Sequence, residues 1–399
     1  MKGLPTDDAR ALMLARALRT PAETVALNEA LGRTLAEPIA ALRDQPPFDG
    51  SAMDGWAVRA SDAIEGARLQ AVGESAAGHG YDGVVEPGQA VRIFTGAPMV
   101  SGADAVVIQE NTRRDGEAVV IVQAPSPGAN IRRAGGDFRA GALLMQGGVR
   151  LDPWRLSLAA AAGRAELRVA ARPRVAILST GEEIVSPGGS PGSHQIFNSG
   201  GPGLAALVTA WGGAPVLLTP AGDDIARIAA AVRDQACDVL VTIGGASVGD
   251  HDLVKPALSR LGLELTFESL KMRPGKPTWF GVLGDGRRVL GLPGNPASAL
   301  ACAELFLRPL LAAMQGADPG LPLVSARLAG PLPANGPREH WMRARLSNVE
   351  GVCTVAPFSD QDSSLVTVFA QADALLRRLP NAGSAEAGDV VSVLPLKRM

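Results

Sequence analysis

The sequence predicts a multi-domain protein of α/β plus β class, with an α/β unit flanked by strand-rich regions. Three observations predict it. Between about residues 172 and 315, short runs of Val, Ile and Leu alternate with helical stretches, the pattern of a buried parallel sheet with crossover helices. From about 46 to 170, and again from 320 to 399, the chain reads as short strands bounded by Gly, Pro and Asp. The length, 399 residues, exceeds what one hydrophobic core usually organises.

Taken in order, residues 1 to about 45 read as helical and end in the breaker run Asp44-Gln45-Pro46-Pro47. Strands are expected at 89–94, 105–109 and 118–122. A helix follows over 152–163, with Asp152 as N-cap and Pro153 at the first helical position. In the α/β unit, strands are expected at 175–178, 215–218, 238–243 and 289–292. Helices are expected over 203–211 and 223–235, and after Pro296.

Composition narrows the function. The 38 Lys and Arg nearly cancel the 40 Asp and Glu, giving a net charge of −2. A general nucleic-acid or membrane-surface binder would carry a basic excess. Five Trp, nine Phe and one Tyr are too few for a stacking platform. Three widely spaced cysteines, Cys237, Cys302 and Cys353, predict a reducing, cytoplasmic location without disulfides. The four histidines do not cluster and no CxxC or HExxH pattern occurs, so no zinc or iron–sulfur site is expected. The first 20 residues interleave charges with leucines, unlike a signal peptide. The best membrane-span candidate, 297–314, is interrupted by Glu304, Arg308 and Pro309.

Chemistry concentrates in turns. Ser179-Thr180-Gly181-Glu182-Glu183, Gly244-Gly245-Ala246-Ser247-Val248-Gly249-Asp250 and Pro293-Gly294-Asn295-Pro296-Ala297-Ser298 each follow a predicted α/β strand. Ligands of open α/β sheets bind at such strand ends, where glycines admit close approach and helix N-termini favour anions. The turns fit neither the dinucleotide fingerprint nor the Walker A pattern. Lys271-Met272-Arg273-Pro274-Gly275-Lys276-Pro277 adds a cationic edge suited to an oxyanion. Glu183, Asp223, Asp250 and Asp252 follow predicted strands. Acidic groups beside a phosphate pocket point to a hard cation, although Asp223 and Asp250 fit equally well as helix caps. The segments 46–58, 93–98 and 132–137 are ordered turns with no chemistry legible from the residues alone.

Together, Phe48 to Val58, Thr95-Gly96-Ala97-Pro98, the Ser-Thr-Gly-Glu-Glu turn, 244–250, Arg273-Pro274-Gly275-Lys276-Pro277 and 292–298 resemble the MoeA family, nearly end to end. That family includes the C-terminal domain of gephyrin. The resemblance implies four domains. These are a MogA-like three-layer α/β molybdopterin-binding domain (1–20 and 172–315), a linking domain (21–45 and 131–171), a β domain (46–130) and a C-terminal β-barrel (320–399). It implies a homodimer whose active cleft joins the α/β domain of one subunit to the β domain of the other. It further implies that molybdenum from molybdate is inserted into adenylylated molybdopterin, with Mg²⁺ assisting phosphoanhydride cleavage and AMP leaving. A molybdopterin adenylyltransferase and molybdoenzyme-side acceptors would be its partners.

Carried over residue by residue, the resemblance assigns catalytic roles to Asp54, Thr95, Asp137, Glu183, Asp223 and Asp252. Asp252, Asp54 and Glu183 are the implied metal ligands. Gly245, Ser247, Gly249, Asp250, Arg273, Lys276, Pro293, Asn295, Ser298, Arg343 and Ser363 would bind substrate and anion. Gly50, Gly136, Gly200 and Ser269 stand where the family often has Asn, Glu, Asn and Lys, and Arg273 where it has Lys. On a strand, Lys271 would share a face with Arg273 and replace the missing charge. Two other readings exist: a non-catalytic scaffold of the same fold, and the adenylylating enzyme that shares the α/β domain. The retained carboxylates disfavour the first. The extra β regions disfavour the second.

Overall fold

The structure is a computed structural model and describes residues 1–245 and 253–396. Its central sheet has six strands in the order Ala214–Leu217, Arg174–Ser179, Val239–Ile243, Arg288–Leu292, Trp279–Val282, Glu264–Phe267. The first four are parallel, as the Val/Ile/Leu runs predict. Trp279–Val282 runs antiparallel to both of its neighbours, so the sheet is mixed. The last two strands carry aromatics and sit between Pro and Gly residues, which hides them from a search for long apolar runs.

Side chains alternate across this sheet. Val175, Ile177, Val239, Val241 and Leu290 face a layer holding the helices Thr6–Leu14, Gly200–Ala210 and Pro296–Cys302. Ala176, Leu178, Leu240 and Val289 face the opposite layer, with Ile225–Arg233 and Val254–Ser259. The result is three layers, α/β/α. The run from Pro296 continues through a π-turn at Ala303–Leu307 into Arg308–Met314. Among the described residues, Pro296–Met314 is the helical run long and apolar enough to cross a membrane, and most of it is buried against this core.

The first 45 residues are helical only over Thr6–Leu14 and a single 3-10 turn at Leu27–Glu29, against the expectation of a helical segment throughout. Ala22–Ala26 is a strand paired antiparallel with Glu166–Ala170. Pro21 before it and β-branched Thr24 and Val25 within it oppose a helix. The helix Pro153–Ala161 forms as the sequence predicts: Asp152 accepts a hydrogen bond from the Arg155 N–H at 2.9 Å.

Residues between 55 and 121 form a second six-stranded sheet, with Gly55–Val58 between Ala105–Ile108 and Gln89–Ile93. The C-terminal strands close into a five-stranded barrel: Glu339–Val349, Val352–Pro357, Val324–Leu328, Val390–Pro395 and Ala374–Arg378, which returns to Glu339–Val349. Leu328, Ala344, Val355, Leu376 and Val393 fill its interior. A short parallel pairing joins the barrel to the α/β unit. Met272–Arg273 adds to the start of Glu339–Val349, setting Arg273 beside His340. The cationic turn of the α/β unit is thereby fixed against the barrel.

Candidate active site

Two cavities meet at the C-terminal ends of the parallel strands. The larger, about 890 Å³, is lined by Thr180, Gly181, Glu183, Asn198, Asp223, Gly244, Gly245, Pro293 and Asn295. The smaller, about 320 Å³, is lined by Arg273, Lys276, Ser298, Arg338, Asp362 and Ser363. Pro277, Pro293 and Asn295 belong to both and form the shared wall. Carboxylates without cations therefore line one chamber, whereas in the adjoining one three cations outnumber the single carboxylate, Asp362.

Local structure explains the acidic side. Gly181 has φ of 137°, and a Cβ there would lie 2.3 Å from the Glu183 carboxylate. Only glycine lets Glu183 fold back over its own turn. Asp223 is freed from capping by its neighbour: Asp224, not Asp223, accepts the Arg227 N–H at 2.7 Å and caps the helix Ile225–Arg233. The Asp223 backbone N–H donates instead to Glu182 Oε1 at 3.2 Å, tying its loop to the Ser-Thr-Gly turn. The Thr180 hydroxyl is buried without a hydrogen-bond partner among the described residues.

On the cationic side, the Asn295 amide Nδ2 donates to Ser363 Oγ at 2.6 Å across the smaller cavity. The Ser363 hydroxyl hydrogen remains free to donate to a ligand. Arg343 differs from the anion contact implied for it. It is buried, and its side chain donates to Gln361 Oε1 at 3.2 Å and to the Asp362 carbonyl at 2.8 Å. Buried, outside the cavity lining and bonded to the loop that carries Ser363, Arg343 positions that loop. Lys271 also departs from expectation. It packs along Gly3, its Cε 3.7 Å from where a Gly3 Cβ would be, and lies outside the cavity lining. Ser269 Oγ is likewise taken, accepting the Gly3 N–H at 2.9 Å. Arg338 is the cation that sequence reasoning missed. Its place depends on the pairing of Arg273 with His340, which no local pattern announces.

His340 sits among these cations. Burial, then the charges of Arg273, Arg343 and Arg338, push its pKa from the ordinary 6.5 down to about 4. The folded protein therefore binds fewer protons than the unfolded chain between about pH 6.5 and 4. This contribution to stability is present above pH 6.5 and falls as the pH drops toward 4. Denaturant titrations over that range are expected to show a steeper pH slope for the wild type than for His340→Gln; equal slopes would contradict the assignment.

The remaining residues lie elsewhere. Asp54 Oδ1 accepts both the Thr95 N–H at 2.8 Å and the Thr95 hydroxyl at 2.7 Å. Those two hydrogen bonds, followed by the charge of Arg92, hold its carboxyl below the usual range. Asp137 is exposed on a turn whose backbone N–H reaches Gln45 O at 2.9 Å. Within one chain, Asp54, Thr95 and Asp137 line neither cavity. The implied metal set is thus divided: Glu183 is on the larger cavity, Asp54 is in the other sheet, and Asp252 lies outside the described residues. Ser247, Gly249 and Asp250 also lie outside them. Among the described residues, no three of His, Cys, Asp and Glu gather closely enough to hold a metal alone. All three cysteines are free.

Comparison with known proteins agrees with this architecture. Residues 4–163 match the family described as the MoeA N-terminal region (domain I and II). Residues 176–313 match a probable molybdopterin binding domain, and 325–396 the MoeA C-terminal region (domain IV). A molybdopterin molybdenumtransferase from a Nostoc species is 37% identical over 341 residues, covering 83% of this chain and 78% of that protein. A molybdopterin molybdenumtransferase 2 from Mycobacterium tuberculosis is 38% identical over 367 residues, covering 88% and 90%. The crystal structure of a molybdopterin biosynthesis MoeA protein from Pyrococcus horikoshii is similar over 100% of both chains, with a TM-score of 0.83 and 31% identity.

Proposed function

The chain belongs to the MoeA family, and from that premise we propose that it is a molybdopterin molybdenumtransferase of molybdenum cofactor biosynthesis. It takes molybdate, adenylylated molybdopterin and water: water cleaves the phosphoanhydride into AMP and the pterin phosphate, and the dithiolene sulfurs bind molybdenum as their protons leave with a molybdate oxygen as water. The observation that carries this reading is the shared wall between an acidic and a cationic cavity. A tetrahedral dianion and a phosphoanhydride then lie side by side, separated only by Pro277, Pro293 and Asn295.

Molybdate occupies the smaller cavity. Arg273, Lys276 and Arg338 supply its countercharge, and Ser298 and Ser363 supply hydroxyl donors. Arginine's planar fork pairs two oxygens at once, whereas Lys276 acts as a point charge. The adenylylated pterin occupies the larger cavity. Glu183 and Asp223 would hold Mg²⁺ there, a set that fits because Mg²⁺ is usually bound through one or two carboxylates plus substrate phosphates. When bound, Mg²⁺ neutralises the phosphoryl oxygens of the bond being cleaved. Gly181 and Glu182 fix the two carboxylates in place before the substrate arrives.

Asp54, Thr95 and Asp137 complete the site from a second copy of the chain, in a homodimer with two composite clefts. Their position away from the cavities of their own chain supports this. Thr95 keeps Asp54 as an oriented acceptor at that cleft. The chain acts in the cytoplasm, downstream of a molybdopterin adenylyltransferase and upstream of molybdoenzyme acceptors.

Arg273→Met tests the anion assignment. The KM for molybdate in AMP release is expected to rise about tenfold, a loss of about 1.4 kcal/mol, with a smaller change in kcat. An unchanged KM would remove molybdate from this cavity.

A further inference from the structure

We propose that a third cavity, remote from the two above, is a binding site for a phosphoryl-class anion at the junction of the 21–45 and 131–171 segments with the α/β unit. This cavity is about 320 Å³. Thr34, Gly148 and Arg150 form one side, Trp211, Arg308 and Gln315 the other, and residues 317–322 close it.

Its cationic character rests on Arg150. Burial, then the nearby charges of Arg308 and Arg172, disfavour the charged form of Arg150. The Arg150 side chain donates to a neutral acceptor, the Ala210 carbonyl at 2.5 Å. Among the described residues, neither Arg150 nor Arg172 has an ion pair. Glu23, the carboxylate acting on Arg172, is paired with Arg33. Arg308 is balanced by the buried Glu304 at 3.2 Å, which leaves its other guanidinium nitrogens available. Asp318 lines the same cavity, with Oδ1 accepting the Gly320 N–H at 2.9 Å. Arg150, held by a carbonyl and by no carboxylate among the described residues, keeps guanidinium N–H groups that an anion entering the cavity can take.

Two backbone features border the cavity. The π-turn Ala303–Leu307 immediately precedes Arg308, and such turns recur where a helix must present a functional side chain. Gly148 has φ of 84°, and a Cβ there would lie 2.5 Å from the Gly316 carbonyl. The two segments therefore meet backbone to backbone at the cavity's edge. Trp211, Pro309, Pro319 and Pro322 give an apolar flank for a small organic group attached to the anion.

The test uses inorganic phosphate, titrated calorimetrically into the Arg273→Met, Lys276→Met protein so that the other cationic cavity is disabled. One saturable site is expected. Arg150→Met should weaken it at least tenfold and Arg150→Lys less, with Tm in the absence of phosphate nearly unchanged. A phosphate-dependent change in Trp fluorescence should vanish in Trp211→Phe. Absence of saturable binding, or binding indifferent to both Arg150 variants, would overturn the proposal. Neither result bears on molybdenum transfer, because the assay contains no pterin and no molybdate.

Discussion

Mixing Asp54→Ala protein with Asp223→Ala protein is expected to restore about a quarter of wild-type turnover from two nearly inactive preparations. Each variant alone should lose about 10²- to 10³-fold in kcat, the usual cost of removing one preorganised polar group from a reaction centre. The recovery rests on where the side chains are. Asp223 lines the larger cavity, whereas Asp54, held by Thr95, does not reach either cavity of its own chain. If a cleft takes Asp223 from one subunit and Asp54 from the other, a mixed dimer has one doubly damaged cleft and one intact cleft. Random exchange makes about half of the dimers mixed, each with half of its sites working. Turnover that stays at the level of the separate variants after demonstrated subunit exchange would mean that the site is not shared.

Trp279→Ala is expected to cost about 3–5 kcal/mol of folding stability, the range for deleting a large buried aromatic. Trp279 is fully buried in the antiparallel half of the central sheet. Its cross-strand partner is Gly291, where a Cβ would lie 2.0 Å from the indole ring. The glycine leaves a slot that the indole fills, so truncation leaves a void no neighbour can close. The effect should spread to function. Pro277, two residues away, belongs to the wall between the cavities, and Thr278 donates its hydroxyl to Cys302 Sγ at 3.3 Å. Trp279→Phe should be milder. It keeps a ring in the slot and removes an indole N–H that is buried without a partner among the described residues. Urea denaturation of the three proteins measures this. Equal losses for Phe and Ala would show that ring packing is not what Trp279 contributes.

The sequence made the parallel strands, their helices and the ligand-bearing turns legible, because each rests on local rules. Val175 to Leu178 must be buried on both faces, and Asp152-Pro153 can begin a helix only one way. The cavity residues Glu183, Asp223, Gly245, Pro293, Asn295, Arg273, Lys276 and Ser363 stand at strand ends or on loops, and Ser298 in the first turn of the helix that follows one. What stayed hidden depends on distant partners. The strand Ala22–Ala26 exists because Glu166–Ala170 pairs with it. Arg338 enters the cationic cavity because Met272–Arg273 pairs with the first barrel residues after it, Glu339 and His340. Arg343 has the right chemistry for an anion, yet it is buried outside the cavity lining and bonds Gln361 and Asp362. Adjacent aspartates can also exchange roles: Asp224 takes the cap and leaves Asp223 for the cavity.

The most direct measurement is the stoichiometry of one reaction. Purified protein is supplied with adenylylated molybdopterin, molybdate and Mg²⁺, and both AMP and pterin-bound molybdenum are counted. One AMP released for each molybdenum bound to the dithiolene, with both lost together in Asp223→Ala, is the expected result. A wild-type protein that binds the adenylylated pterin but releases no AMP and transfers no molybdenum would contradict the account.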